Sequence, residues 1–471
     1  MNIFRTLGVV DGLVLIICLI SLVAVSLIFE RKNKNSGDVT TAAKDFSIPL
    51  IVGATVATFM GASSGMGSMG LFMANGFSGM TPTIAWIIGW MFLCLMARPL
   101  RSSGANTLPQ FIAMKYSKST QKISSAVAMI YTMSTVAGQF IACGTVYSML
   151  GLGSIQQGIV VLGTIIIILT LFGGLKGVAV TNTIQSVFIV AVCVVVIPAI
   201  VIYKAGGVGE MVSYYQSVDA TKLNFFKGMT PAILIGYVLS NMLCCGAEPS
   251  YAAKFLQAKD TQTGVKGACA SLLVCLLLPI SMMLGAMCLP MIMPEITDGT
   301  TFYPVTINAF LPPVIKGFAM FAFLSLFLTT GNSFLQLLSV LITNDYVKPM
   351  LPNADSQKIG RINRSLIVVI GIIAILVGLW GEGIYQVMVL GAGCYGAAVF
   401  FPLALGCFTK RKYVVKNINI AMVVGCAMTL IWDQLFSGAT GIAGVIMGAA
   451  CCLIICLIGS KSGEPDTVAA R

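Results

Sequence analysis

The chain has 471 residues, of which 57% are hydrophobic and only 9% charged, and its mean hydropathy is +0.95. A soluble protein covers its surface with roughly 25% charged side chains, so most of this surface faces lipid and no soluble catalytic domain fits. The net charge of +12 does not point to nucleic acid, because the basic residues sit in short segments between apolar runs rather than on one folded face.

The chain contains no His, which removes the usual proton shuttle. Its 15 Cys lie mostly inside apolar segments, as in Cys244-Cys245 and Cys451-Cys452. They read as small buried thiols, with neither a disulfide framework nor a zinc site favoured. The first apolar run is full length and leads into Glu30, Arg31, Lys32 and Lys34, unlike a cleavable signal peptide.

In chain order, apolar runs of bilayer-spanning length predict about thirteen helices: 8–29, 47–75, 79–99, 123–150, 155–175, 182–204, 229–248, 266–293, 305–345, 363–381, 383–408, 418–435 and 439–459. With the N-terminus placed outside, all of the 28 basic residues except Arg5, Lys204, Lys222, Lys227 and Lys316 fall on the inner side. The expected address is the cell (inner) membrane, with the C-terminus cytoplasmic.

The second span is a poor continuous helix, with Gly61, Gly65, Gly67 and Gly70 interleaved with Ser63, Ser64 and Ser68. One reading is close packing through small residues. The other is a broken helix whose freed backbone lines a cavity, since unpaired backbone cannot face lipid. Gln139 lies near the middle of the fourth span, where an amide faces either protein or water.

The seventh span is interrupted by Gly246, Glu248 and Pro249, five spans after the first break. Interrupted helices at matching positions of two halves point to a transport site at a repeat interface. The implied organisation is an extra helix and loop (1–45), a five-helix repeat (46–204), an external loop (205–228), a second five-helix repeat (229–410), and two extra helices with a cytoplasmic tail (411–471). The ninth span carries Thr329, Thr330, Asn332 and Ser333. Such hydroxyls often bond only their own preceding carbonyls, yet together they also form a cluster of oxygen ligands of the kind a hard monovalent cation takes.

At these residues the chain resembles the sodium:solute symporter family, whose members carry proline, sugars, pantothenate, iodide or sialic acid. The likeness runs over roughly 45–410. It includes Thr107–Phe111 with Lys115-Tyr116, Gly173–Gly177 with Thr181 and Gln185, and the ninth-span pattern of two hydroxyls, a Ser three further on and an acid (Asp345) at the end. The resemblance implies an all-α polytopic membrane protein with a LeuT-like 5+5 inverted repeat. It also implies a sodium site made by the carbonyls of Ala57, Met60 and Leu326 with the hydroxyls of Thr329 and Thr330.

The function expected is sodium-coupled import of a small organic solute across the lipid bilayer, with Na+ as coupling ion, no cofactor and no catalytic residues. Candidate solute contacts are Ser63, Ser64, Gln139, Tyr237, Asn241 and Glu248; the last has an alternative role as ion-pair partner of Lys254, which matches a basic position of the family. Proline carriers have an Asp where this chain has Phe59, which argues against proline. Asp433, in the twelfth span, reads as a loop-edge or packing residue. A channel, a transport-like sensor or an intramembrane enzyme are the rival classes; the chain has neither charged rings, nor a soluble signalling domain after the last span, nor a catalytic set.

Overall fold

The computed structural model describes residues 8–33, 44–227, 231–380, 384–458 and 460. Helix α1 (Val9–Asn33) is followed by α2 (Ile48–Phe59), a π-helical turn (Ala62–Gly67), α3 (Ser68–Asn75) and α4 (Thr81–Ser102). A short α5 (Leu108–Lys115), begun by the side-chain cap of Thr107, leads to α6 (Lys118–Met149). Then come α7 (Ile155–Phe188), a π-helical stretch (Ile189–Val196), α8 (Ile197–Lys204) and α9 (Val208–Val218).

The remainder comprises α10 (Pro231–Gly246), α11 (Pro249–Leu256), α12 (Thr261–Ile292), α13 (Phe302–Phe310), α14 (Ile315–Ile342), α15 (Lys348–Met350), α16 (Ser356–Trp380), α17 (Ile384–Phe408), α18 (Val415–Leu435), α19 (Ser437–Thr440) and α20 (Gly444–Leu457). Among the described residues the only β-type pairing is a single bridge between Phe46 and Ala258. It lays the segment before α2 against the turn after α11.

Nine helical segments among the described residues are long and apolar enough to cross a membrane. Two of them, 62–102 and 155–204, contain glycines in non-helical conformation, Gly76 at φ 64 and Gly174 at φ 55, so segments and crossings are not the same count. The loop expected at 176–181 is absent. The chain turns at Gly174 alone, and the helix before it packs on α6 and α16 while the helix after it packs on α2.

The expected span at 305–345 also differs. Its first part is the separate helix α13, because Pro312 and Pro313 supply no N–H to continue the ladder, and Val314 sits at φ 73 before α14 begins.

Helix α14 is buried along nearly all its length and packs on α1, α2, α6, α7 and α16. Its polar residues therefore meet protein or an internal space, never lipid. That placement is what turns Thr329, Thr330, Ser333 and Gln336 into site candidates.

Gly174 holds φ 55 with ψ −172, a region open in practice to glycine alone. Gly174→Ala should lower stability by about 1–3 kcal/mol, seen as a depressed thermal unfolding temperature of the purified protein. An unchanged melting temperature would show that the turn is made elsewhere.

Candidate functional site

The break after α2 releases two carbonyls. In an unbroken helix the Ala57 carbonyl would accept from the Gly61 amide, and the Thr58 carbonyl from the Ala62 amide. Instead, Gly61 N–H donates to Phe59 O (2.9 Å) and to Ser64 Oγ (3.0 Å), while Ala62 N–H donates to Gln139 Oε1 (3.2 Å). The freed oxygens turn toward α14. Thr329 Oγ1 lies 2.8 Å from Ala57 O, and Thr330 Oγ1 lies 3.2 Å from Thr58 O and 3.5 Å from Ala57 O.

Both hydroxyls also reach back along their own helix, Thr329 to Ser325 O at 2.7 Å and Thr330 to Leu326 O at 3.1 Å. Gly61 makes the approach possible, since a Cβ there would sit 2.8 Å from Thr330 Oγ1. Beyond this cluster runs a second polar layer. Thr58 Oγ1 bonds Ser333 Oγ (2.7 Å), and Asn182 Nδ2 donates to Ser333 Oγ (2.7 Å) and to Thr329 O (3.3 Å). Thr170 donates to Asn332 Oδ1 (2.7 Å).

The second break, between α10 and α11, is closed by fixed donors. Tyr395 Oη donates to the Ala247 carbonyl (2.7 Å). Glu248, 1% exposed, caps α11 by accepting from the Ser250 amide (3.2 Å) and hydroxyl (2.9 Å), and it accepts from Tyr131 Oη (2.6 Å). Tyr131 and Tyr395 stack at 5.1 Å between ring centroids. Glu248 and Lys254 form no direct salt bridge, with no Glu248 oxygen within 4.0 Å of the ammonium among the described residues, though the two charges still act on each other; Lys254 Nζ donates to Ser250 O at 3.0 Å.

Of the sodium-site candidates, Ala57, Leu326, Thr329 and Thr330 come together; the Met60 carbonyl touches neither threonine hydroxyl, and the Thr58 carbonyl does. Of the solute candidates, Ser64 donates to the Phe59 carbonyl inside the break and Gln139 receives Ala62, whereas Ser63 is exposed. Asn241 is half-buried on α10, and the side chain of Tyr237 lies outside the described residues. Asp433 receives the Gly444 amide (2.6 Å), the packing role expected of it.

Sequence reasoning missed Thr58, Asn182 and Thr170. Thr170 and Thr58 stand in mainly apolar stretches and Asn182 in the polar run 181–183, and only the pairing of α2, α7 and α14 makes them neighbours. Tyr131 and Tyr395 gave no signal at all, since aromatic residues are ordinary in such helices.

A cleft of about 660 Å³, counting its open mouth, starts at Asn182 and Ser333 and ends among Phe46, Asn106, Thr107, Lys254 and Gln257. One hydrogen bond, Thr58 to Ser333, separates it from the threonine pair.

Residues 41–425 match the sodium:solute symporter family. The chain belongs to that family. The high-affinity proline transporter of Bacillus subtilis (strain 168) is 22% identical over 392 residues, covering 78% of this chain and 80% of that one. The sodium/pantothenate symporter of Escherichia coli (strain K12) is 22% identical over 433 residues, 86% of each chain. A solved structure, the substrate-bound outward-open state of a Na+-coupled sialic acid symporter, superposes with a TM-score of 0.82 at 16% identity, over 97% of this chain and 99% of that one. The fold is thus the all-α LeuT type. As a sodium:solute symporter the chain is a multi-pass membrane carrier that takes up a small organic solute with Na+ as coupling ion, and it is not an enzyme.

Tyr395→Phe keeps the ring and deletes the donor to Ala247 O, leaving a buried freed carbonyl without its partner. The change should destabilise by about 1–3 kcal/mol, read as a lowered unfolding temperature at unchanged helix content. If melting is unaffected, another group closes the second break.

Proposed function

We propose that the coupling sodium ion binds between the break of α2 and the middle of α14, held by the carbonyls of Ala57, Met60 and Leu326 and the hydroxyls of Thr329 and Thr330, with the Thr58 carbonyl beside them. One observation carries the reading. Two hydroxyl protons face four carbonyl oxygens, those of Ala57, Thr58, Ser325 and Leu326. The cluster therefore has more lone pairs than hydrogens to satisfy them, which a cation resolves and a further donor-poor contact does not. A site of neutral oxygens also binds a monovalent ion weakly enough to let it go.

The basic segments face the cytoplasm in this proposal, with the N-terminus outside and the C-terminus inside the cell membrane, and residues 46–204 and 229–410 form the two inverted repeats. The cleft, lined by Phe46, Lys254 and the segment after α4 among others, is in this reading the release route to the cytoplasm. Ser64, Gln139 and Asn241 remain the solute contacts proposed nearest the break. Glu248 is proposed to hold the shape of the second break, since its oxygens are engaged by Tyr131 and Ser250.

A reporter fused after Lys412 should read cytoplasmic and one after Asn224 external; both on one side would overturn the topology. Thr330→Val preserves shape and β-branching while deleting one oxygen. In proteoliposomes the sodium concentration for half-maximal uptake should rise severalfold or more for Thr329→Val and for Thr330→Val, and change little for Thr330→Ser. Unchanged sodium dependence in both valine variants would place the ion elsewhere.

A further inference from the structure

The cleft below the threonine pair holds polar groups with nothing to bond. Gln336, on α14, is 1% exposed, and among the described residues neither its Oε1 nor its Nε2 has a partner. Gln257 is 2% exposed, and its Oε1 is likewise unpaired. Both side chains line the cleft, together with Lys254, its one charged lining residue. Lys254 is 8% exposed and, among the described residues, makes a single hydrogen bond, to Ser250 O.

An ammonium has three donors, so two N–H groups are left over. The Tyr251 ring lies 5.9 Å from the ammonium and the Glu248 carboxylate acts on it only from beyond salt-bridge distance, so the buried charge is only partly compensated, and unpaired buried amides add to the cost. Three such groups on one cavity are a site awaiting a ligand.

The chemistry of the ligand follows from the lining. One buried cation and an amide donor fit a single negative charge, while a phosphate calls for several cationic or backbone donors. Most of the remaining wall is apolar, with Phe46, Leu108, Leu175, Val178, Leu337 and Leu341, and Asn182 and Ser333 add polar groups at one side. Gln336 and Gln257 add acceptors for a hydroxyl or amide on the ligand. We propose that the cleft between Lys254 and Gln336 is a binding site for a small carboxylate with a mainly apolar body, occupied by the solute on its way to the release side. The proposal rests on the transport reading and deepens it by naming the class of solute.

The test uses the full chain purified in detergent and three isosteric probes: 4-methylpentanoate, 4-methylpentanamide and 4-methylpentylamine. Thermal unfolding is followed with each probe, with sodium alone, and with inorganic phosphate or chloride alone. The carboxylate should raise the unfolding temperature in a saturable way, by several degrees at tenfold excess over its half-saturating concentration, and the amide and amine should not. Lys254→Met should abolish that response while keeping the shift produced by sodium alone, and Lys254→Arg, which keeps the cation, should retain it.

The proposal falls if amide and carboxylate stabilise alike, if Lys254→Met responds as the parent does, or if phosphate or chloride gives the same Lys254-dependent shift. Should Lys254→Met not fold, Gln336→Leu serves, with at least a threefold rise in half-saturating carboxylate expected and no change counting against the site. Sodium failing to stabilise while the carboxylate response persists would remove the ion reading and leave this one standing.

Discussion

The structure turns on a helix that stops being a helix just after a buried stretch of its backbone. Between Phe59 and Ala62 the amides of Gly61 and Ala62 find partners inside the break and on Gln139. The matching carbonyls of Ala57 and Thr58 are left over, and in hydrocarbon that is untenable. α14 covers them, and it does so with two threonines rather than with apolar side chains. The burial of α14, the absence of a Cβ at Gly61 and the seating of α6 through Gln139 all serve this one contact.

The two breaks solve the same problem in opposite ways. At the second, Tyr395 and Glu248 use fixed, well-directed hydrogen bonds that leave nothing to exchange. At the first, the hydroxyl protons have a choice between Ala57 or Thr58 across the interface and Ser325 or Leu326 along the helix. A cation seated on the hydroxyl oxygens pushes their protons away from it, so the cross-interface carbonyls become ligands in turn. With the proposed ion gone, the same protons would bridge the two helices directly. That exchange is a small bistable element of the sort a transport cycle needs.

Much of this is legible in the sequence. The Gly and Ser content of 61–70 marked the first break, Glu248-Pro249 the second, and Thr329-Thr330 the partner helix. The boundaries failed where a single residue decides the backbone. Gly174 replaced an expected loop because one glycine in a region closed to other residues turns the chain without polar spacer residues. Pro312-Pro313 cut a run that hydropathy alone joins. The alternative of a direct Glu248–Lys254 salt bridge is not realised for a different reason. Six residues apart in sequence, they lie across the start of α11, and the carboxylate is captured first by the cap it makes to Ser250. Hydrogen-bond networks such as Thr58–Ser333–Asn182 were invisible, because they depend on which faces of α2, α7 and α14 meet.

The ion cluster and the cleft share one face of α14. Leu326, Thr330, Ser333, Leu337 and Leu341 recur at the three-to-four spacing of a single helical stripe, and Ser333, Gln336, Leu337, Val340 and Leu341 line the cleft. At 1.5 Å per residue, Thr330 and Gln336 are about 9 Å apart along the axis. A sodium ion at one and a carboxylate at the other would attract by roughly 2 kcal/mol at an effective dielectric of about 20. That is about tenfold to thirtyfold in affinity, within the ordinary range for linked sites. The attraction vanishes once the ion leaves, so sodium loss itself loosens a carboxylate held at Lys254. Rigid cap chemistry at the second break keeps Lys254 in place through this change, since Ser250 binds both Glu248 and the Lys254 ammonium. A coupling of this kind would need no long pathway: one helix face carries the hydroxyl oxygens and part of the wall of the cleft.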